Sequence, residues 1–211
     1  RHASHKGLQG DVAVIGGESI GSEGFGMRGA ALLAASAAVH AGAGRVILSL
    51  LSGQALESAP FDLMQRDWRQ LELRQLNVVC GCGGGQSVRA ALPAVLQQSA
   101  QLVLDADALN ALAQDAMLQD LLKQRGAHQP TVITPHPLEA ARLLQTHTAE
   151  VQQDRLLAAQ RLARLFNCTV VLKGSGSVIA APGQTPRINT SGNGRLAIGG
   201  TGDVLAGLIG A

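Results

Sequence analysis

The stretch Gly199-Gly200-Thr201-Gly202-Asp203-Val204-Leu205-Ala206-Gly207 reads as a glycine-rich turn that runs straight into a helix. Glycine takes positive φ without a steric penalty and lets backbone approach a ligand closely. The first N–H groups of a helix have no intrahelical acceptor, and the dipole behind them favours an anion. Asp203 places a carboxylate where an anion should bind, which suits a group that handles a proton or a cation. Thr201 and Asp203 read equally as N-caps, so the rest of the chain has to decide.

Working outward, short apolar runs end repeatedly in glycines or polar groups. Residues 11–15 end in Gly16-Gly17, residues 77–80 in Gly81-Cys82-Gly83-Gly84-Gly85, and residues 102–104 in Asp105-Ala106-Asp107. Residues 131–133 end in Thr134-Pro135-His136-Pro137, and residues 169–172 in Lys173-Gly174-Ser175-Gly176-Ser177. Such runs are buried strands. Helices are expected over 30–40, 88–98, 108–124, 137–144 and 154–166, and a strand over 45–51. A glycine-rich loop is expected over 21–29, and a hairpin around Pro182-Gly183. Alternating strands and helices imply an α/β fold, a mostly parallel central sheet with helices on both faces. In such sheets the ligand crevice lies at the carboxyl ends of the strands.

Composition narrows the classes. At 211 residues the chain suits one domain. Hydrophobic residues make up 46% and aromatics 2%, so the core is aliphatic. The net charge is +2 with no basic run, which argues against nucleic acid. No apolar run reaches the roughly 18 residues a membrane span needs. Cys80, Cys82 and Cys168 fit a reducing, cytoplasmic setting, and Cys80-Gly81-Cys82 lacks the spacing of a redox or zinc pair and reads as small buried residues.

Several stretches together carry a family resemblance. They are His5-Lys6-Gly7, Val14-Ile15-Gly16-Gly17, Gly29-Ala30, Ala41-Gly42-Ala43-Gly44 and Asp105-Ala106-Asp107-Ala108-Leu109-Asn110. Thr134-Pro135-His136-Pro137-Leu138-Glu139, Val171-Leu172-Lys173-Gly174, Thr190-Ser191-Gly192-Asn193 and the opening stretch complete them, in order over nearly the whole chain. The chain resembles the ADP- or ATP-dependent NAD(P)H-hydrate dehydratases, which have a ribokinase-like fold. The resemblance implies a single dehydratase domain over residues 1–211 that repairs NADHX and NADPHX, cofactors hydrated at C6 of the nicotinamide ring. The 6-hydroxyl is phosphorylated by a nucleotide and leaves as phosphate, and the bacterial type turns ADP into AMP.

The resemblance also implies roles. Asp203 is the general base. Thr201, Gly202 and Asp203 offer backbone N–H groups as an anion hole for the phosphoryl in flight. Lys173, Gly174, Ser175, Gly176 and Ser177, with Gly202, hold the nucleotide. Ala30, Gly83, His136 and Asp203 meet the hydrated dinucleotide. Glu139 supports Mg²⁺ through water, since Mg²⁺ sheds its waters reluctantly. A homo-oligomer and an attached or partner epimerase are further expectations, and the end eight residues after Asp203 suggests a truncated chain.

Other readings stand beside these. Asp105 and Asp107 serve as caps for the following helix or hold a metal, His136 is an N-cap before Pro137, Lys173 is a solvated strand end, and Gly29-Ala30 serves helix packing. Gly81-Cys82-Gly83 stands where the family has Gly-Pro-Gly, Asn193-Gly194-Arg195 where Asn-Pro-Gly is usual, and Ile198 where Thr or Ser is common. The alternatives to a dehydratase are a ribokinase-like small-alcohol kinase of the hydroxyethylthiazole or hydroxymethylpyrimidine type and a catalytically silent nucleotide-binding module.

Overall fold

Short aliphatic runs become strands here because each can bury both faces at once. In β1 (Asp11–Gly16), Val12 and Val14 point into one apolar cluster and Ala13 and Ile15 into another on the opposite side. The same alternation runs through β2 (Arg45–Leu50), β4 (Asn77–Cys80) and β5 (Gln101–Leu104). The computed structural model describes residues 10–20 and 26–211; His5-Lys6-Gly7 and the first part of the loop expected over 21–29 lie outside them.

Among the described residues the sheet has nine strands, numbered in chain order and arranged β3-β2-β1-β4-β5-β6-β7-β8-β9. All pairs from β3 (Met64–Gln65) to β7 (Thr169–Leu172), with β6 (Thr131–Ile133) between β5 and β7, are parallel. The expected hairpin, β8 (Val178–Ala180) and β9 (Arg187–Ile188), closes that edge antiparallel. One face is covered by α1 (Arg28–Ala41) and α8 (Thr201–Gly210). The other face carries α2 (Val88–Gln98), α3 (Asp107–Ala113), α4 (Ala116–Gly126), α5 (Pro137–Leu144), α6 (Thr148–Gln153) and α7 (Arg155–Phe166).

Three local features differ from the sequence expectation. The single helix expected over 108–124 is two, because the Asp115 carboxylate accepts the N–H groups of Met117 and Leu118 at 2.9 and 3.3 Å and starts α4. The short α6 and the edge strand β3 were not foreseen, since neither is long enough to show a periodicity.

The helix that carries the opening stretch is seated by its lack of side chains. Gly207 packs directly on the Ala34 backbone of α1, and Gly210 on Val79 of β4. Ala30, Ala31, Ala34, Ala35 and Ala38 line the facing side of α1 and are all buried. Glycine costs about 1 kcal/mol relative to alanine inside a helix, and here it allows an approach that a Cβ would block. Gly42, at φ +101°, ends α1 and returns its N–H to the carbonyls of Ala38 and Val39. Among the described residues no helix is long and apolar enough to cross a membrane.

Candidate active site

Every parallel strand end at the centre of the sheet delivers a residue to one place beside the start of α8. Gly200, at φ +90°, turns the chain into the helix, and a Cβ there would meet the Leu33 side chain. The Val204 N–H makes the first bond, to the Gly200 carbonyl at 3.0 Å. The N–H groups of Thr201, Gly202 and Asp203 find no acceptor in another residue among those described. The N-cap readings fall: the Thr201 hydroxyl donates to the Ile198 carbonyl at 2.9 Å, and Asp203 lies inside the helix with no capping bond.

Asp203 is half-buried at this helix start. Burial is the main cause that pushes its carboxyl above the usual range; the Asp105 carboxylate adds to the rise and the Lys173 charge opposes it. A carboxylate held in this way takes up a proton more readily than one in water. One carboxyl oxygen each of Asp105 and Asp203 and the Cys82 sulfur lie within 4.8 Å of one another. Cys82 is fully buried, and burial, followed by the neighbouring carboxylates, pushes its thiol well up.

Asp105 is itself 1% exposed, and its charge is answered by Lys173, whose Nζ lies 2.5 Å from Oδ1. The Lys173 side chain therefore turns inward over the site, close to Gly202, and is not a solvated strand end. Between Asp105 and Asp107 stands Ala106 at φ 49° and ψ −114°, a conformation that costs a non-glycine residue about 1–3 kcal/mol. It sends the two carboxylates apart: Asp107 accepts the Gly85 N–H at 2.9 Å while Asp105 takes Lys173. Neither makes a side-chain cap on α3.

The glycine turn after β4 is fixed to the end of β1. Gly17 N–H donates to the Cys82 carbonyl at 3.0 Å and Glu18 N–H to the Gly83 carbonyl at 2.7 Å, while the Glu18 carboxylate accepts from the Ser87 N–H and hydroxyl. Gly83, at φ +59°, lies against Ala30, with an added Cβ only 2.9 Å from the Ala30 Cβ. The two small residues expected to meet the dinucleotide are thus neighbours.

His136 is the N-cap of α5. Its Nδ1 accepts the N–H groups of Leu138 and Glu139 at 3.2 and 3.3 Å, and Glu139 Oε2 accepts the His136 N–H at 2.8 Å. This reciprocal box contributes about 1 kcal/mol. The imidazole edge stays 44% exposed, with Nε2 3.3 Å from Glu139 Oε1. Burial, then the Lys173 charge, lowers its pKa, so the ring is neutral. Glu139 is buried, and that burial lifts it to about 7. With both oxygens facing His136, Glu139 does not fit a direct Mg²⁺ bond; only a contact through water is left to it.

The loop after β7 carries Gly174 at φ +144° and Gly176 at φ +63°, and the Ser177 hydroxyl closes it on the Gly174 carbonyl at 3.1 Å. Lys173 N–H donates to the Pro135 carbonyl at 2.8 Å, which ties this loop to the one before α5. Asp203, Thr201, Gly202, Lys173 and His136 therefore share one crevice, next to the Ala30–Gly83 contact. Sequence reasoning missed Asp105 as the partner of Lys173, and Cys82 as a neighbour of Asp203; the buried position expected for Cys82 is right. A separate hollow of about 500 Å³ lies between α5, α6 and α7, lined by Leu144, Val151, Leu157 and Arg161 among others, and none of these residues belongs to the crevice.

The arrangement offers free helix-start donors, an adjacent carboxylate that holds a proton readily, and a glycine loop with a lysine, which is equipment for moving a phosphoryl group. Comparison with known proteins agrees. The family profile described as NAD(P)H-hydrate dehydratase matches residues 12–211. The ADP-dependent (S)-NAD(P)H-hydrate dehydratase of Neisseria meningitidis serogroup B is 41% identical over 221 residues, covering 99% of this chain and 70% of that protein. The bifunctional NAD(P)H-hydrate repair enzyme Nnr of Escherichia coli is 39% identical, and this chain spans only 40% of its length. A ribokinase-like superfamily protein from Enterococcus faecalis superposes with a TM-score of 0.78 at 27% identity, covering 99% of this chain and 72% of that one. The ADP/ATP-dependent NAD(P)H-hydrate dehydratase of Bacillus subtilis, co-crystallised with ATP/Mg²⁺, superposes with a TM-score of 0.76 at 31% identity, covering 98% and 73%. With its ribokinase-like sheet, its strand-end crevice and a profile match to its last residue, the chain belongs to the NAD(P)H-hydrate dehydratase family.

Proposed function

We propose that this chain performs the nucleotide-dependent dehydration of hydrated NADH and NADPH, restoring the reduced cofactors, with ADP as the phosphoryl donor and AMP and phosphate as products. The observation that carries this reading is the meeting of the Asp203 carboxylate with the helix-start N–H groups of Thr201, Gly202 and Asp203, none of which has an acceptor in another described residue, at one crevice. Water is a poor leaving group and phosphate a good one, so the hydroxyl at C6 is converted before it departs. Asp203 takes the hydroxyl proton as the oxygen attacks the terminal phosphoryl of ADP; the bond to AMP breaks, and the helix-start N–H groups hold the charge on the transferred oxygens. The phosphate then leaves C6 with the bonding electron pair, and the C5 proton is lost to water as its bonding pair forms the C5–C6 double bond of the reduced ring. A half-buried carboxyl with a raised pKa suits that proton transfer.

Lys173, Gly174, Ser175, Gly176 and Ser177, with Gly202, hold the nucleotide in this reading. One donor of the Lys173 ammonium is already committed to Asp105, so the loop's backbone carries much of the contact. Ala30, Gly83 and the exposed edge of His136 receive the hydrated dinucleotide. Glu139 would hold a nucleotide-borne Mg²⁺ only through water, and that ion would lower the charge of the phosphates. The setting is cytoplasmic, and an epimerase activity acts alongside, in the same polypeptide or a partner; relatives named as bifunctional repair enzymes, of which this chain spans about 40%, fit a second activity. A homo-oligomer belongs to the reading as a family trait, but the small residues of α1 are spent inside the chain, so light scattering has to decide it.

Supplying hydrated NADH with ADP or ATP and following NADH, AMP and phosphate tests the reading. Equal yields of NADH, AMP and phosphate from ADP are expected. Nucleotide consumption with no NADH, and a phosphorylated small alcohol in its place, would move the assignment to a kinase; no consumption of any nucleotide would leave a binding module.

A further inference from the structure

Arg155, the first residue of α7, belongs to none of the motifs read from the sequence, yet it sits directly behind the loop after β7. Its Nη1 donates to the Ser175 carbonyl at 2.6 Å, and its Nη2 to the carbonyls of Leu172 and Lys173 at 3.1 and 3.2 Å. The position is unfavourable for a cation in two ways. A positive charge in the first turn of a helix opposes the dipole by about 0.3–1 kcal/mol. The Nε is also buried with no acceptor among the described residues, and an orphaned donor costs about 1–3 kcal/mol. A side chain that merely filled space beside β7 would carry neither penalty.

The bonds it makes have a directional consequence. In a trans peptide the carbonyl of one residue and the N–H of the next point in opposite directions. Holding the Lys173 and Ser175 carbonyls turns the N–H groups of Gly174 and Gly176 away from the guanidinium. Neither N–H finds a main-chain acceptor among the described residues. Both glycines have positive φ, and a Cβ on Gly174 would lie 2.8 Å from Nη2. Outward N–H groups in such a turn, with a cation behind them, form an anion-binding concavity.

We propose that Arg155 is a positioning residue that holds the loop from Lys173 to Ser177 with its N–H groups outward, in the shape that receives the phosphates of a nucleoside diphosphate. This rests on reading that loop as the nucleotide site. Arg155 acts through the loop and does not itself meet the reacting atoms.

The test compares the unaltered chain with Arg155→Met, Arg155→Lys and Gly174→Ala, measuring ADP binding by calorimetry, steady-state KM and kcat, and amide hydrogen exchange with and without ADP. Arg155→Met should weaken ADP binding and raise its KM by about tenfold or more, with kcat at saturating ADP and affinity for hydrated NADH unchanged. Arg155→Lys should recover part of the loss, because an ammonium reaches some of these carbonyls but lacks the two-pronged fork. Gly174→Ala, which presses a methyl group onto the guanidinium and strains the backbone at φ +144°, should weaken ADP binding through the same loop and keeps the test alive if the Met variant does not fold. ADP affinity equal to that of the unaltered chain in Arg155→Met, or in both other variants, overturns the proposal. If ADP leaves the Gly174 and Gly176 amides of the unaltered chain unprotected, the nucleotide reading of the loop fails instead; protection there with normal affinity in Arg155→Met sinks only the role of Arg155.

Discussion

Replacing Gly207 by alanine puts one methyl group between the two helices that hold the site, and the structure fixes the sign of its effect. In an exposed helix the change would help, by about 1 kcal/mol of propensity. At Gly207 the added Cβ lies 2.8 Å from the Ala34 carbonyl carbon and 3.0 Å from its Cα, with the carbonyl oxygen closer still. These are backbone atoms and cannot rotate away, so α8 or α1 has to move. Overpacking of this kind costs about 1–3 kcal/mol, and a steric cost at the upper end outweighs the propensity gain. A net loss near 2 kcal/mol lowers the melting temperature by about 4–8 °C for a chain of this size. The displacement also carries Thr201, Gly202 and Asp203 with it, and a misplacement of about 1 Å at reacting groups can cost about 10²-fold in rate. Gly29 is the control, since it lies in α1 with nothing within 4 Å of an added Cβ, and Gly29→Ala should not lower the melting temperature. Thermal unfolding and hydrated-NADH turnover measure both effects. A Gly207→Ala protein that melts and turns over like the unaltered chain would refute the reasoning that close packing on α1 seats the helix start.

Other outcomes follow from the charges of the crevice. Lys173→Met removes the cation that lowers the Asp203 pKa, and Asp105→Asn removes the carboxylate that raises it, so the acid limb of kcat/KM should move to higher pH in the first variant and lower pH in the second; shifts of the same sign would contradict the arrangement. Glu139, lifted from 4.5 to about 7 by burial, folds best protonated, so its contribution to stability is fully present below about pH 4.5 and is lost as pH rises through about 7, by about 3 kcal/mol at most. Urea unfolding across that range should show the difference between the unaltered chain and Glu139→Gln narrowing or reversing as pH rises, and parallel curves would count against the buried carboxyl.

The outline of the fold was readable because its signals are local. Aliphatic runs of a few residues stopped by glycine or polar groups marked β1, β4, β6 and β7, and Pro137 marked the start of α5. The parallel order then made convergence of their carboxyl ends follow from topology. The break between α3 and α4 was not readable, since Gln114-Asp115 suits a continuous helix until the Asp115 side chain is seen to cap. The site divides in the same way. Asp203 and the glycines beside it announce themselves in one stretch, and His136 sits next to the proline it precedes. The pairing of Lys173 with Asp105 spans 68 positions and that of Arg155 with Ser175 spans 20; no local pattern marks either. Resemblance supplied the dinucleotide and the nucleotide, which composition and spacing alone do not reveal.

The central claim is that Asp203 moves the proton of the 6-hydroxyl, and the rate of hydrated-NADH repair by Asp203→Asn at saturating ADP and Mg²⁺ tests it most directly. Asparagine keeps the size of the side chain and leaves the helix-start N–H groups in place, so ADP affinity and melting temperature should stay near those of the unaltered chain. General-base help is worth about 10²–10⁴-fold, and the account predicts a loss of rate in that range. Repair at close to the unaltered rate would show that Asp203 takes no part in the chemistry and would contradict the account.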